Sequence, residues 1–141
     1  MVNRSSTSIG TVSSDQCHSI AAKLARRFAQ IQASWPIYRL VLDKEIARGH
    51  ALDAVGFYVN GLLRPLFEVA GMRHRPERFD FGWRYLHHDL PIELQRVLTQ
   101  LAYAASIDEI TARLPHLDRL MTQLVTEIES RLSILTQAAL Q

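Results

Sequence analysis

The stretch LDAVGFYVNGLLRPLFEVA, residues 52–70, decides the fold class. Leu52, Val55, Val59, Leu62, Leu63, Leu66 and Phe67 fall on one side of a helix at 100° per residue. No strand-length alternation competes with that period. Pro65 removes one backbone donor within the run, which predicts a kink and not two separate helices, and Gly71 offers a stop. Asp53, Phe57, Asn60, Arg64 and Glu68 share the opposite side. That ribbon reads as a solvated face with an Arg64–Glu68 pair, or as the lining of a cleft.

The same period extends in both directions. Upstream, Ser13 or Ser14 can cap a helix with an apolar stripe of Cys17, Ile20, Ala21, Leu24, Phe28 and Ile31. Trp35-Pro36 resets the chain, and a second helix follows with Ile37, Leu40, Val41 and Ile46 inward, stopping at Gly49. Downstream, Pro91 opens a helix with Leu94, Val97, Leu98, Leu101 and Ala105 inward. Asp89 is placed to cap it. Ser106-Ile107-Asp108-Glu109 is a capping box. After Pro115 comes the longest stripe, Leu117, Met121, Leu124, Ile128 and Leu135, at the spacing of a bundle seam. The reading is all-α: an antiparallel bundle of four to six helices forming a single domain over residues 15–141, with an ordered Arg/aromatic loop. The Ser/Thr-rich residues 1–14 read as a disordered leader.

Composition agrees. The chain has 141 residues, 48% of them hydrophobic, enough for one buried core. Gly 6 and Pro 5 are few for an all-β sandwich. Cys17 is alone, which excludes an internal disulfide or a cysteine-rich zinc site. No run of 18 apolar residues is present, so no membrane partner is expected, and with no apolar signal core the cytoplasm is the expected compartment. Residues 1–88 carry 12 basic and 7 acidic residues, and residues 89–141 carry 4 and 7. So thin an excess makes nucleic acid an unexpected partner.

The chemistry of a self-sufficient enzyme is missing. No phosphate-binding Gly-rich loop, dinucleotide fingerprint, nucleophile elbow or His-Glu-x-x-His helix occurs. His87-His88-Asp89 offers metal-ligand and acid–base groups, but adjacent histidines point different ways on a helix, and no third ligand stands at a fixed spacing. No metal is assigned.

The best candidate is MRHRPERFDFGWRYLHHDL, residues 72–90, where Arg73, Arg75, Arg78 and Arg84 mix with Phe79, Phe81, Trp83 and Tyr85. Guanidinium groups can grip phosphate or carboxylate and lie on aromatic faces. The alternative is that the aromatics bury the loop while its arginines pair with Glu68, Glu77 and Asp80. A short helical turn is expected around Trp83 to His88.

Together, Leu63-Arg64-Pro65-Leu66-Phe67-Glu68, the run from Arg73 to Leu86, and Asp89-Leu90-Pro91 resemble the helical C-terminal region of nucleotidyltransferase-domain proteins, relatives of the aminoglycoside nucleotidyltransferases. The resemblance covers about Ala51 to Leu135. In that family an α/β head carries metal carboxylates, while the helical tail shapes the acceptor cleft and often the dimer interface. The Gly-Ser turn and acidic pair of the head are absent from this sequence. The resemblance therefore implies a non-catalytic substrate- or partner-binding module acting with a separate or lost catalytic domain. It assigns no catalytic residue to this chain, and ATP and Mg²⁺ enter only through a nucleotidyltransferase partner. Asp53, Asn60, Arg64, Arg75, Arg84, Tyr85 and His88 are the expected substrate- or partner-binding residues, in a homodimer. Two alternatives stand beside it. One is a small acid–base enzyme such as a ribonuclease-type toxin, using Arg84 with His87 or His88, although no Arg–His pair has that toxin motif's spacing. The other is a structural dimerisation bundle using the Leu117–Leu135 stripe.

Overall fold

The computed structural model describes residues 14–141, and among them every regular element is helical. The first, α1, runs unbroken from Ser14 to Arg48. The restart expected at Trp35-Pro36 does not occur, because Pro36 sits inside the helix. Its ring removes the N–H that would reach the Gln32 carbonyl, but Gln32 and Pro36 are both exposed, so water can serve that oxygen. Continuity also changes the buried face. Leu42 follows Ile31 by about three helical turns, so it points inward with Leu24, Phe28 and Ile31. Ile37 and Leu40, expected inside, are exposed. The helix closes at Gly49, whose φ is +72°. The Gly49 N–H reaches the Ile46 carbonyl at 3.0 Å and the His50 N–H the Glu45 carbonyl at 3.1 Å, the two bonds of a Schellman turn.

Three segments then follow in line: α2 (Ala51–Phe57), a π-helical turn (Tyr58–Leu63) and α3 (Arg64–His74). The irregularity expected at Pro65 takes the form of this π turn. The Arg64 N–H bonds back five residues to the Val59 carbonyl. The widened turn makes room for the proline ring, which would crowd the Gly61 carbonyl in a regular helix. The helix passes the expected stop at Gly71 and ends at His74. This line is the centre of the molecule. Leu62, Leu63, Leu66, Val69 and Ala70 are buried, with α1 packed against it and the last helix packed on α3.

A 3₁₀ segment, Pro76–Phe81, leads to the short α4 (Leu86–Asp89), α5 (Ile92–Ala102) and α6 (Ile107–Ala139). Asp89 does not cap α5: Pro91 holds the N-cap position and no side chain bonds there. Within α5, Leu98 and Leu101 are buried, while Val97 is exposed and Ala105 lies beyond the helix. The Ser106 hydroxyl caps α6 by accepting from the Glu109 N–H at 3.2 Å. The reciprocal bond comes from the Ala105 N–H to Glu109 at 2.7 Å, one residue earlier than in a standard capping box. Pro115 lies inside α6. Of its seam, Leu117, Met121, Leu124 and Ile128 are buried and Leu135 is exposed. The result is an all-α bundle of six α-helices among the described residues, none long and apolar enough to cross a membrane. The expected leader falls outside the described residues apart from Ser14, which opens α1.

Candidate functional site

The Arg/aromatic segment forms a strap that leaves α3, crosses the bundle and returns at α5. Its conformation is organised by one buried cation. Arg75, 1% exposed, donates from Nη2 to the Gly82 carbonyl at 2.6 Å and from Nη1 to the Arg84 carbonyl. Nη1 also reaches the Asp89 carboxylate at 3.1 Å, and Arg78 bonds the other Asp89 oxygen. Burial acts to raise the Asp89 carboxyl, but the bonds from Arg75 and Arg78 outweigh it and hold its pKa below the ordinary value. The Nε atoms of Arg75 and Arg78 are buried without a partner, so the network is satisfied at its Nη ends only.

At the first of those anchored carbonyls and just past the second, the backbone makes two left-handed steps. Gly82 has φ 65° and ψ −125°, a conformation open to glycine. Tyr85, a non-glycine, has φ 63° and ψ 14°. These steps set Trp83 and Arg84 outward and exposed, while Phe79 is buried beneath. The Trp83 ring meets Phe67 of α3 edge-on, with centroids 4.3 Å apart.

Trp83 stands between two concavities. On one side a crevice of about 560 Å³ is lined by Arg27, Arg64, Glu68, Asp80, Phe81 and Arg84, with Phe67, Gly82 and Trp83. Its acids are already engaged. Arg27 forks onto Glu68 with two 2.7 Å bonds, and Lys23 binds Asp80 at 2.7 Å. The Lys23 bond holds the Asp80 carboxyl below its ordinary pKa. Arg64 and Arg84 have no acid partner among the described residues. Arg84 lies 5.8 Å over the Tyr85 ring. On the other side of Trp83 lies a cleft of about 380 Å³ with Phe67, Leu86, His87, Leu90, Leu98 and Ala102 in its walls.

The expected binding residues are thus distributed. Arg64 and Arg84 share the crevice. Tyr85 is exposed beside it, its ring 6.4 Å from that of Phe81. Asp53 and Asn60 line a separate groove of about 300 Å³ with Tyr38 and Phe57. His88 is exposed on α4 with its ring 5.1 Å from that of His87, and it lines neither the crevice nor the cleft. Arg75 is withdrawn into the protein, where it shapes the strap and has no surface to offer a ligand. The expected Arg64–Glu68 pair is replaced by Arg27–Glu68. The loop arginines find Asp89 and Glu127 instead of Glu68, Glu77 and Asp80, with Arg73 at 2.8 Å from Glu127.

Sequence reasoning missed Arg27, which lies 41 residues from Glu68 with no local signal joining them. It also missed the apolar cleft, since Phe67 and Leu98 meet only in the folded chain. Glu45, His50 and Asp53 at the α1–α2 turn bring possible metal ligands within 4.8 Å of one another. Glu45 is already bound by Arg48 at 3.1 Å and His50 at 2.8 Å, so the cluster reads as a charge network closing α1. The chain matches no protein-family model, no curated protein and no solved structure.

Proposed function

We propose that this chain is a non-catalytic binding module, similar to the helical C-terminal region of nucleotidyltransferases, that presents an anion-accepting crevice beside a catalytic domain carried elsewhere. The observation that supports this reading is the pair Arg64 and Arg84: two guanidinium groups free of acid partners among the described residues, on one crevice walled by Trp83. Guanidinium binds phosphate and carboxylate through paired donors, and a half-exposed indole gives a flat wall beside it. In this reading ATP and Mg²⁺ come through a nucleotidyltransferase partner, and the module works in the cytoplasm as a homodimer. The acid–base alternative gains no support, because Arg84 lines the crevice while His87 lines the cleft across Trp83.

The test is a calorimetric titration with inorganic phosphate. Wild type binds, and the Arg64→Glu/Arg84→Glu double variant binds at least about tenfold more weakly. Equal affinities would remove the crevice from the proposal. Nucleotide transfer by the purified chain alone, given ATP and Mg²⁺, would overturn its non-catalytic character.

A second reading, a dimerisation bundle, is favoured by one specific feature. Ile20, Leu24, Pro76, Leu132 and Leu135 line a nearly wholly apolar groove of about 470 Å³ between the ends of α1 and α6. The two readings are compatible, since one face binds and the other pairs.

A further inference from the structure

We infer that the ligand of this module is an anion carried on a flat, apolar ring system, its charged group between Arg64 and Arg84 and its ring in the cleft across Trp83. The inference rests on the binding-module reading and adds the chemical class of the ligand.

Three observations carry it. First, the crevice and the cleft share two walls, Phe67 and Trp83, so they adjoin along one edge-on ring pair. Trp83 is 48% exposed, so its free part is within reach of a molecule occupying both.

Second, the two spaces ask for opposite chemistry. The crevice has two free cations and two acids already neutralised by Arg27 and Lys23. The cleft is walled mainly by apolar groups, Phe67, Leu86, Leu90, Leu98 and Ala102, and of its polar lining Gln95 and Thr99 are bonded to the protein's own backbone while His87 and Tyr103 stand at its edge. The Gln95 amide donates to the carbonyls of His87 at 3.0 Å and Leu90 at 2.8 Å. The Thr99 hydroxyl donates to the Gln95 carbonyl at 2.8 Å. A sugar or a hydrogen-bonding base would therefore lose water there and find only His87 and Tyr103 to replace it, whereas an apolar ring would gain from the larger part of the wall.

Third, the strap is held as a fixed wall. The buried Arg75 guanidinium pins the carbonyls on both sides of Trp83, at Gly82 and Arg84, so the indole stands in place before any ligand arrives.

The probes are inorganic phosphate, glucose 6-phosphate and 1-naphthyl phosphate, titrated calorimetrically into the full chain. Naphthyl phosphate is expected to bind about 30-fold or more tightly than either of the others, the gain of burying one aromatic ring. Thr99→Trp, at an exposed position on the cleft wall, is expected to erase that gain while leaving phosphate affinity within about twofold. Ala102→Trp serves as the second filling variant if circular dichroism shows Thr99→Trp to be misfolded. Arg84→Glu is expected to weaken all three. Equal affinity for the three probes, or a naphthyl gain that survives filling of the cleft, overturns the inference and leaves the anion crevice standing. Absence of phosphate and naphthyl phosphate binding to wild type overturns the crevice reading and this inference together.

Discussion

The Arg75 guanidinium lies 3.1 Å from the Asp89 carboxylate inside the protein, with 1% and 5% of the two side chains exposed. This pair ties the end of α3 to the start of the α4–α5 connection, and it decides where the crevice wall stands. Removing one partner of a buried pair leaves the other charge with too few bonds. Arg75→Leu is therefore expected to lower unfolding free energy by about 3 kcal/mol in urea denaturation. Arg84→Ala, at the surface, is expected to change it by no more than about 0.5 kcal/mol.

The same carboxylate sets an acid limit. Arg75 and Arg78 overcome the opposing effect of burial and depress the Asp89 pKa in the folded chain. The folded state then releases its proton more readily than the unfolded state, whose aspartates titrate near pH 4. The stabilisation is complete above that pH and is lost as pH falls through the folded value. Stability measured from pH 7 downward is expected to fall more steeply in wild type than in Asp89→Asn, which starts lower and follows a flatter acid limb.

Tyr58 gives the corresponding limit in base. Its buried hydroxyl donates to the Leu101 carbonyl at 2.5 Å, and burial pushes its pKa up to about 12. The folded state holds this proton more tightly than the unfolded state, so stability falls as pH rises above about 10. In an absorbance titration, one of the four tyrosines is expected to ionise late, and Tyr58→Phe removes that step. Leaving the Leu101 carbonyl without its partner costs about 1 to 2 kcal/mol.

Arg64 and Arg84 are exposed, so their hold on phosphate is open to screening. Phosphate affinity is expected to weaken progressively as sodium chloride is raised from 50 to about 300 mM. In the double glutamate variant the residual binding is expected not to weaken with salt, because screening there relieves repulsion. Calorimetry across the salt series checks both.

Pairing through the α1–α6 groove predicts twice the chain mass by light scattering. Leu135→Glu, which places a charge on the groove's wall, is expected to return the monomer mass with unchanged helical content.

Much of this was readable because the molecule obeys a 100° period over long stretches. Spacing alone puts Leu24, Phe28 and Ile31 of α1, and Leu117, Met121, Leu124 and Ile128 of α6, inside, and they are inside. The errors arise where one residue alters the phase. Pro36 reads as a boundary, yet α1 runs through it, held by the buried Leu24, Phe28 and Ile31 before it and by Leu42 after it. A wheel restarted at Pro36 turns Ile37 and Leu40 inward and hides Leu42, the reverse of their burial. The π turn at Tyr58–Leu63 adds a second phase change, and it helps to explain the polar ribbon. On one regular helix Asp53, Asn60 and Arg64 would form a single row, whereas here Asp53 and Asn60 line one groove and Arg64 another. Composition identified the strap as dense in arginine and aromatic rings. It could not separate the arginine that builds the strap from those that face outward, because Arg75 and Arg84 differ only in which acids and carbonyls the tertiary fold brings to them.

At 33 residues, α6 is about 50 Å long, but its last buried side chain is Ile128 and every residue from Ser133 onward is exposed. The helix is thus made of two materials: a length locked by tertiary packing and a spur that must support itself. A spur of fewer than about 12 residues is marginal in water on local bonding alone, so its amides should exchange quickly while those around Leu124 exchange slowly. Anything that settles on Leu135 would slow those fast amides. The exchange of the α6 end is therefore expected to report any association at that face, where little but the helix's own bonds holds the chain.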